Sequence, residues 1–436
     1  MQERYFEQPY EFISPYRRTF WIRLFTPIIR WKLKDEFQIH HLEYRGLEHL
    51  ESLIEKDAGI LLTPNHNRLA DSPVLGILGL RVDRYLHWVA SYHLFKQSRF
   101  RKWFLKRMGA FSILREGTDR EAIKACGEIL QTQDRLLNIF PEGTWFRQND
   151  RLGPLQDGVA FIVRQTLRKA ERPIYIVPIA IKYWVLKDPT EEINQRLSKL
   201  ERGLHWEPKT YLDPVDRIGR ICNAYLSVKE IETFGKAHSG SQDLRIEQLV
   251  QKKLFEIEKR YYGEVGDGAY LARVRRLRQK LVKMLWDANL ERAEKSRAKA
   301  DLNDLLFCEL AAAHSEAYLI ENPTYERIVE AVLRLEESLS DTEEPIVPMG
   351  AVVAIGKPIR PEEFPPAGRK ERKLGDPLMK ELRFQMEKLL QETVEAGPPE
   401  SWNCPKPRII PARPDREGTD IDSDIDGAIY DPATSS

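Results

Sequence analysis

The sequence has few of the features that would identify a class at a glance. Its four cysteines, Cys126, Cys222, Cys308 and Cys404, form no Cys-x-x-Cys pair, and no histidine stands near them at metal-ligand spacing. That argues against a disulfide framework or a zinc site and fits a reducing compartment. No segment approaches the ~18 consecutive apolar residues that a helix needs to cross a bilayer. The first residues lack the charged start, apolar stretch and small-residue cleavage site of a secretory signal. A surplus of one charge sign is also missing: 68 Lys and Arg face 67 Asp and Glu, a net of +1, which argues against a general nucleic-acid binder. There is no glycine-rich nucleotide fingerprint, and no internal repeat is apparent. A cytoplasmic protein is expected, with any membrane contact peripheral, on the inner face.

What is present is a chain of 436 residues, 42% of them hydrophobic, enough for two to three domains or for one core with a large insertion. Residues 1–40 hold an amphipathic stretch, PYRRTFWIRLFTPIIRWKLK, in which Arg17, Arg18, Arg23, Arg30 and Lys32 interleave with Phe20, Trp21, Leu24, Phe25, Ile28 and Trp31. Such an element suits a membrane interface with anionic lipid, or equally a helix packing its rings on the protein's own core. Pro27 is expected to kink or split it.

Residues 41–187 alternate strand and helix patterns. Strands are expected at 59–63, 85–91, 135–140 and 174–185, and helices at 121–131 and 158–169. Another helix should be capped by Ser72 with Pro73 at its first position. That order predicts an α/β core with parallel pairing. Residues 188–345 are helical in pattern, 346–396 restore one strand (349–359) and one amphipathic helix (376–394), and 397–436 read as a disordered acidic tail. The favoured architecture is one α/β core interrupted by a helical insertion, because a separate second domain would leave the lone strand without a sheet. Asp422, Asp424, Asp426 and Gly427 copy the start of a calcium loop, but Ala433 stands where its bidentate glutamate should be.

The chemistry concentrates in four blocks. LLTPNHNRLADSPVLG places His66 and Asp71 where an apolar strand breaks into a turn. Five residues along a continuous helix would point them apart, whereas a turn lets the carboxylate orient the imidazole and raise its basicity. Taken alone, a loop histidine beside a helix-capping aspartate fits as well. GAFSILR, FPEGTW and IVPIAI follow, at 109–115, 140–145 and 176–181.

In this order and spacing the blocks resemble the glycerophospholipid acyltransferase family, which includes enzymes that acylate glycerol 3-phosphate and lysophosphatidate. The first block is Asn65, His66 and Asp71; the second Gly109, Phe111 and Arg115. The third is Phe140, Pro141, Glu142, Gly143 and Thr144, and the fourth Val177 and Pro178. An intact FPEGT after an apolar strand is the specific part of the match. The resemblance covers roughly residues 45–190 and implies a mixed sheet flanked by helices. It implies His66 as general base with Asp71 as its orienting partner. Asn65, Gly109, Phe111, Arg115, Pro141, Glu142, Gly143, Thr144, Arg147, Val177 and Pro178 are then expected around the substrate. Arg115 is assigned to acceptor phosphate, with a surface ion pair to Glu116 or Asp119 as the alternative.

No bound cofactor or metal is implied. The donor is expected to be acyl-CoA or acyl-ACP, so an acyl carrier protein is a candidate partner, and the acceptor a lipid alcohol such as lysophosphatidate. Trp145 and Phe146 replace the arginine and serine that often follow FPEGT, which leaves room for a different lipid alcohol. Residues 96–107, KQSRFRKWFLKR, carry six cations, no acid and three aromatic rings. They could stack on single-stranded nucleic acid, bind an anionic bilayer or form a solvated face; beside an acyltransferase site the bilayer is favoured. The remaining alternatives are a non-catalytic lipid-binding or scaffolding module on the same fold, and a hydrolase that directs His66 at water. The oligomeric state is not indicated.

Overall fold

The computed structural model describes residues 9–117, 119–132, 134–268, 270–311, 316–340, 344–366 and 375–406. Most of the expected acidic tail, with its calcium-like spacing, lies outside the described residues. The core is a seven-stranded mixed sheet flanked by helices. Its strands are β1 (Ile39–Arg45), β2 (Gly59–Pro64), β3 (Tyr85–Ser91), β4 (Ala110–Ile113), β5 (Arg135–Asn138), β6 (Ile174–Val185) and β7 (Met349–Ile355), in the spatial order β1-β7-β6-β2-β5-β3-β4. Strands β2 to β6 are mutually parallel, as the alternating pattern predicts. Strand β7 is parallel to β1 but antiparallel to β6, which makes the sheet mixed, as the resemblance implies.

Both faces of the sheet are covered, which is why β2 and β7 read as continuous apolar runs with every residue buried. Alternation along β6 sends Val177, Ile179, Ile181 and Tyr183 to one face, with Leu50, Val74, Leu78 and Val332. Ile174 and Ile176 go to the other, with Phe111, Ile129, Val163, Leu382 and Met386. Two strands were not legible in the sequence. β1, IHHLEYR, is an edge strand with polar residues facing outward, and β4 is four residues long. The run expected as a strand to Ile359 ends at Ile355, and Ile359 adds a single bridge to Ile176.

The helix Phe20–Asp35 runs unbroken through Pro27, so the expected split does not occur. The helix after β2 begins at Asp71, with no side-chain cap from Ser72. The reason lies upstream: the Asp71 carboxylate accepts from the backbone N–H groups of Asn67 and Arg68, closing the turn before the helix.

Between β6 and β7 the chain is helical throughout the described residues, and here the structure shows the repeat that the sequence hid. Arg217, Arg245 and Arg273 recur at intervals of 28 residues, each the fourth residue of its helix (Pro214–Phe234, Gln242–Tyr262, Tyr270–Leu285). Each reaches back to a glutamate late in the preceding helix: Glu201, Glu230 and Glu258. In every case Nε and Nη2 grip both carboxylate oxygens, and Nη1 donates to the side-chain oxygen of Asn194, Asn223 or Gln251. The first two helices of this array pack into the core of the sheet through Ile193, Leu197, Ile218 and Ile221, and the later ones form a second core of Leu254, Val274, Leu277, Leu281, Leu302 and Leu305. The sequence concealed the repeat because the recurring residues are polar and few, while the apolar positions between them follow ordinary helical periodicity.

The array is not a lobe hung on a surface loop. Its last long helix, Tyr325–Ser340, returns to the sheet. Glu326 accepts from the Val185 N–H at 3.1 Å, Arg327 pairs with Asp150 at 2.9 Å, and Glu337 takes Arg147 Nε at 2.8 Å. Farther out, Arg278 bridges Glu116, which follows β4, and Glu309 at 2.6 and 2.7 Å.

Removing one partner of a buried, fully bonded pair strands the other charge without solvent. Glu230→Ala is therefore expected to destabilise the helical array by about 3–5 kcal/mol, measured by urea unfolding. Glu247→Ala, on the same helix as Arg245 but outside the repeat of pairs, should change little.

Candidate active site

Strands β2, β3, β4 and β5 point the same way, so the loops that leave their C-terminal ends emerge along one edge of the sheet, where open α/β sheets bind ligands. The first three sequence blocks leave β2, β4 and β5 along this edge. β2 delivers Asn65 and His66, β5 delivers residues 140–144, and β4 delivers Arg115. Pro64 ends the pairing of β2 with β6 opposite Ile179, while β6 continues to Val185. Side chains then take over the ladder. Asn65 exchanges two bonds with the backbone of Ile181, at 2.7 and 3.1 Å, and Asn149 does the same with Tyr183, at 2.8 and 2.7 Å. The amide of Asn65 is thus spent on β6 rather than turned to a substrate.

The turn that follows holds the two residues of the first block together. His66 Nδ1 lies 2.8 Å from Asp71 Oδ2. The same oxygen accepts from Asn67 N at 2.7 Å and Arg68 N at 2.9 Å, and Oδ1 accepts the Tyr183 hydroxyl at 2.6 Å. Asp71 is fully buried, whereas the His66 side chain keeps 14% of its surface exposed. With Nδ1 facing the carboxylate, the proton sits on that nitrogen and Nε2 is left as the acceptor; Nε2 has no hydrogen-bond partner among the described residues. Phe140 stacks on the imidazole with ring centres 3.8 Å apart and planes 16° apart, and Trp145 meets it edge-on at 5.8 Å. An aromatic face beneath the ring favours it when it becomes cationic.

Glu142 joins this loop to the next. Its Oε1 accepts the backbone N–H of His66 at 2.7 Å and its Oε2 that of Gly153 at 2.8 Å. Burial pushes its carboxyl up to about 8, against the pull of those two N–H groups, and Asp71 nearby adds to the rise. Both oxygens are engaged inside the protein, so Glu142 fixes the backbone of His66 instead of reaching for acceptor hydroxyls. The contact needs Gly153, since a Cβ there would stand 2.4 Å from Glu142 Oε2 and 2.3 Å from the Phe146 ring.

Arg115 donates from Nη1 to the Gly143 carbonyl, and burial lowers its proton affinity. The alternative of a surface ion pair is corrected: Glu116 faces Arg278, and Asp119 takes the N–H groups of Leu114 and Ala122 together with the Tyr10 hydroxyl. Gly143 itself has φ +75°, which favours glycine there.

The remaining expected residues divide clearly. Phe111 and Val177 are wholly enclosed, on opposite faces of the sheet, and touch no crevice. Gly109 makes a turn at φ +86°, where a Cβ would collide with the Leu86 carbonyl at 2.5 Å. Pro178 is buried, and its carbonyl takes Gly356 N at 2.8 Å; Pro141 is likewise buried. Arg147, buried and at φ 48°, turns to Glu337, so it is not a free cation beside the acceptor. Phe146 packs inward at 4% exposure and leaves Trp145 and Thr144 half-exposed at the crevice.

Sequence reasoning missed Tyr183, Arg68, Gly153 and Glu330. Tyr183 alone had a signal, because the two-residue period of β6 puts it on the face that also receives the helix starting at Asp71.

A buried acid held more weakly acidic than in the unfolded chain stabilises the fold fully below its unfolded value of 4.5, and the gain disappears as pH rises toward about 8. The stability of the protein relative to Glu142→Gln should therefore fall across that window, read as the difference in Tm by scanning calorimetry at each pH.

Residues 41–182 match the family model described as Acyltransferase, a span from β1 into β6 that contains His66, Asp71, Arg115 and Glu142. No curated protein matches the chain. The similarity to that family is confined to those residues, and the helical array and β7 lie outside the matched span.

Proposed function

We propose that this protein is a peripheral membrane O-acyltransferase of phospholipid biosynthesis. In this reading it moves a fatty acyl group from acyl-CoA or acyl-ACP to the hydroxyl of a glycerolipid acceptor such as lysophosphatidate. The observation that carries the reading is the contact of His66 Nδ1 with the buried Asp71 carboxylate, which leaves Nε2 unpartnered at the crevice edge. Nε2 takes the proton from the acceptor hydroxyl as its oxygen attacks the thioester carbonyl. The tetrahedral adduct then collapses, the C–S bond breaks, and the thiolate leaves with the proton returned by the imidazolium. A thioester is already activated, so no protein nucleophile is required. Arg115, whose Nε has no hydrogen-bond partner, is the cation of this edge suited to an acceptor phosphate.

The membrane part of the reading rests on two neighbouring helices, Phe20–Asp35 and Arg99–Arg107. Trp21 and Phe25 pack against Trp103 and Phe104, with ring centres 5.1 to 6.2 Å apart. On the other side Phe20, Leu24, Ile28 and Trp31 form one exposed stripe, and Phe100 is 71% exposed. Arg99, Arg101 and Lys102 are exposed beside Phe100, and Arg30, Lys32 and Lys34 beside Trp31. Rings and cations on one surface suit the headgroup boundary of an anionic bilayer. Both readings of the N-terminal segment therefore have support, one for each face of its helix. No helix among the described residues is long and apolar enough to cross a membrane.

Purified protein incubated with a labelled acyl thioester and a panel of lipid alcohols should yield an acylated lipid identifiable by mass spectrometry. Thioester loss without a lipid product would indicate a hydrolase instead. His66→Ala should lower the transfer rate by roughly 10²–10⁴-fold with folding intact. Trp31→Glu combined with Phe100→Glu should weaken sedimentation with anionic phospholipid vesicles by at least about tenfold, since each ring contributes ~1.5–3 kcal/mol when buried. Activity on a water-soluble acceptor analogue should be retained.

A further inference from the structure

We infer that Tyr183 and the Arg68–Glu330 pair are positioning residues that set the basicity of His66 through Asp71. The inference rests on the reading of His66 as general base. A carboxylate against an imidazole favours the protonated ring over the neutral one, and only the neutral ring can accept a proton from an alcohol. The charge on Asp71 has to be spread over other donors. Two are the backbone N–H groups of Asn67 and Arg68 on Oδ2, and the side-chain donor on Oδ1 is the Tyr183 hydroxyl at 2.6 Å. Tyr183 is 0% exposed, and burial together with Asp71 keeps its hydroxyl protonated far above the usual tyrosine range, so it stays a donor at any working pH.

The second element is a cation laid beside this pair. The Arg68 guanidinium lies over the Tyr183 ring, 5.0 Å from its centre, and is held there by Glu330 of the helix Tyr325–Ser340. The bonding differs from that of the array. Arg217, Arg245 and Arg273 grip both oxygens of their glutamates, whereas Arg68 bonds one oxygen of Glu330, and both Arg68 Nε and Glu330 Oε2 are buried without a partner. A pair built only for stability would satisfy those atoms. Here the guanidinium is held over the ring of Tyr183, whose hydroxyl donates to Asp71. The other titratable groups around this assembly are Glu142, whose raised carboxyl faces Asp71, with Arg383 beyond it, and Arg334 beside Glu330. By this arrangement the insertion reaches the chemistry through Glu330 without touching substrate.

The test is the pH dependence of kcat/KM. Tyr183→Phe removes a donor from Asp71, so the imidazolium is better stabilised and the acid limb should move up by roughly one pH unit. Activity lost at neutral pH should return on the alkaline side, which a merely structural defect would not allow. Glu330→Gln removes a negative charge and leaves Arg68 uncompensated, so the acid limb should move down. Limbs that stay in place, or that move in the same direction in both variants, would overturn the inference. If Tyr183→Phe fails to fold by circular dichroism, the direction seen with Glu330→Gln decides alone, and an unmoved or upward limb rejects it. His66→Ala separates the two levels. Retained activity there removes the catalytic reading itself, whereas an inactive His66→Ala with unmoved limbs removes only the role of Tyr183, Arg68 and Glu330.

Discussion

The site depends on burying one carboxylate. Asp71 has no access to water and would be costly as an anion unless the fold supplied donors, and it supplies four. Meeting that demand dictates local geometry. Two donors are backbone N–H groups, so the chain from Asn67 to Asp71 has to close into a turn and cannot begin its helix at Ser72. The third is the imidazole, which is thereby fixed in ring orientation and tautomer. The fourth comes from β6, which ties the turn to the sheet. Glu142 performs the same task one layer out, with its carboxyl holding the backbone N–H of His66 to that of Gly153. The turn that carries His66 is therefore held by buried acids paired mainly with main-chain donors, which do not sample rotamers.

Buried acid–base pairs also build the helical array, but with a different balance. The three repeated Arg–Glu pairs are saturated: every guanidinium is gripped twice by a carboxylate and once more by an amide side chain. Such pairs contribute little net stability compared with apolar packing, yet they fix register, since no neighbouring position on the preceding helix presents both a carboxylate and an amide at the right height. A precise register in the array sets where its last helix lands. That helix places Glu326, Glu330 and Glu337 in turn against β6, the turn after His66 and the loop after FPEGT. The unsaturated pair, Arg68–Glu330, stands at the point where the array meets the dyad.

Much of this was legible in the sequence, for identifiable reasons. β2, β3, β5 and β6 are central strands whose apolar runs leave no competing assignment, and FPEGT after β5 located the loop that approaches His66. Failures followed polar residues that act through the backbone. Asn65 and Glu142 were read as substrate contacts because they are polar and belong to motifs, yet Asn65 completes a strand ladder and Glu142 bridges two loops. Phe111 and Val177 belong to motif blocks as packing residues. β1 escaped notice because an edge strand with one exposed face resembles a loop. The 28-residue repeat escaped because its signature is three residue types spread across long helices.

The substitution of side-chain amides for strand pairing explains why the chain can turn outward at this edge. Had β2 continued beyond Pro64, its next residues would have paired with Ile181 and Tyr183 and filled the space where the turn now lies. The last main-chain bond from β2 to β6 is that of the Asn65 N–H to the Ile179 carbonyl at 3.3 Å, and the chain turns away after it. Asn65 and Asn149 then satisfy the β6 groups that the missing strand would have bonded, at the small cost in volume of two amides. The chain is thereby freed to turn, and His66 comes to the surface directly above a sheet whose hydrogen bonds remain complete along this stretch of β6. The same arrangement brings the Tyr183 side chain beneath Asp71, because the strand that accepts the two asparagines also carries the phenol on the adjoining face. A single early strand end thus turns the chain outward, brings His66 to the surface and sets the Tyr183 hydroxyl against the Asp71 carboxylate.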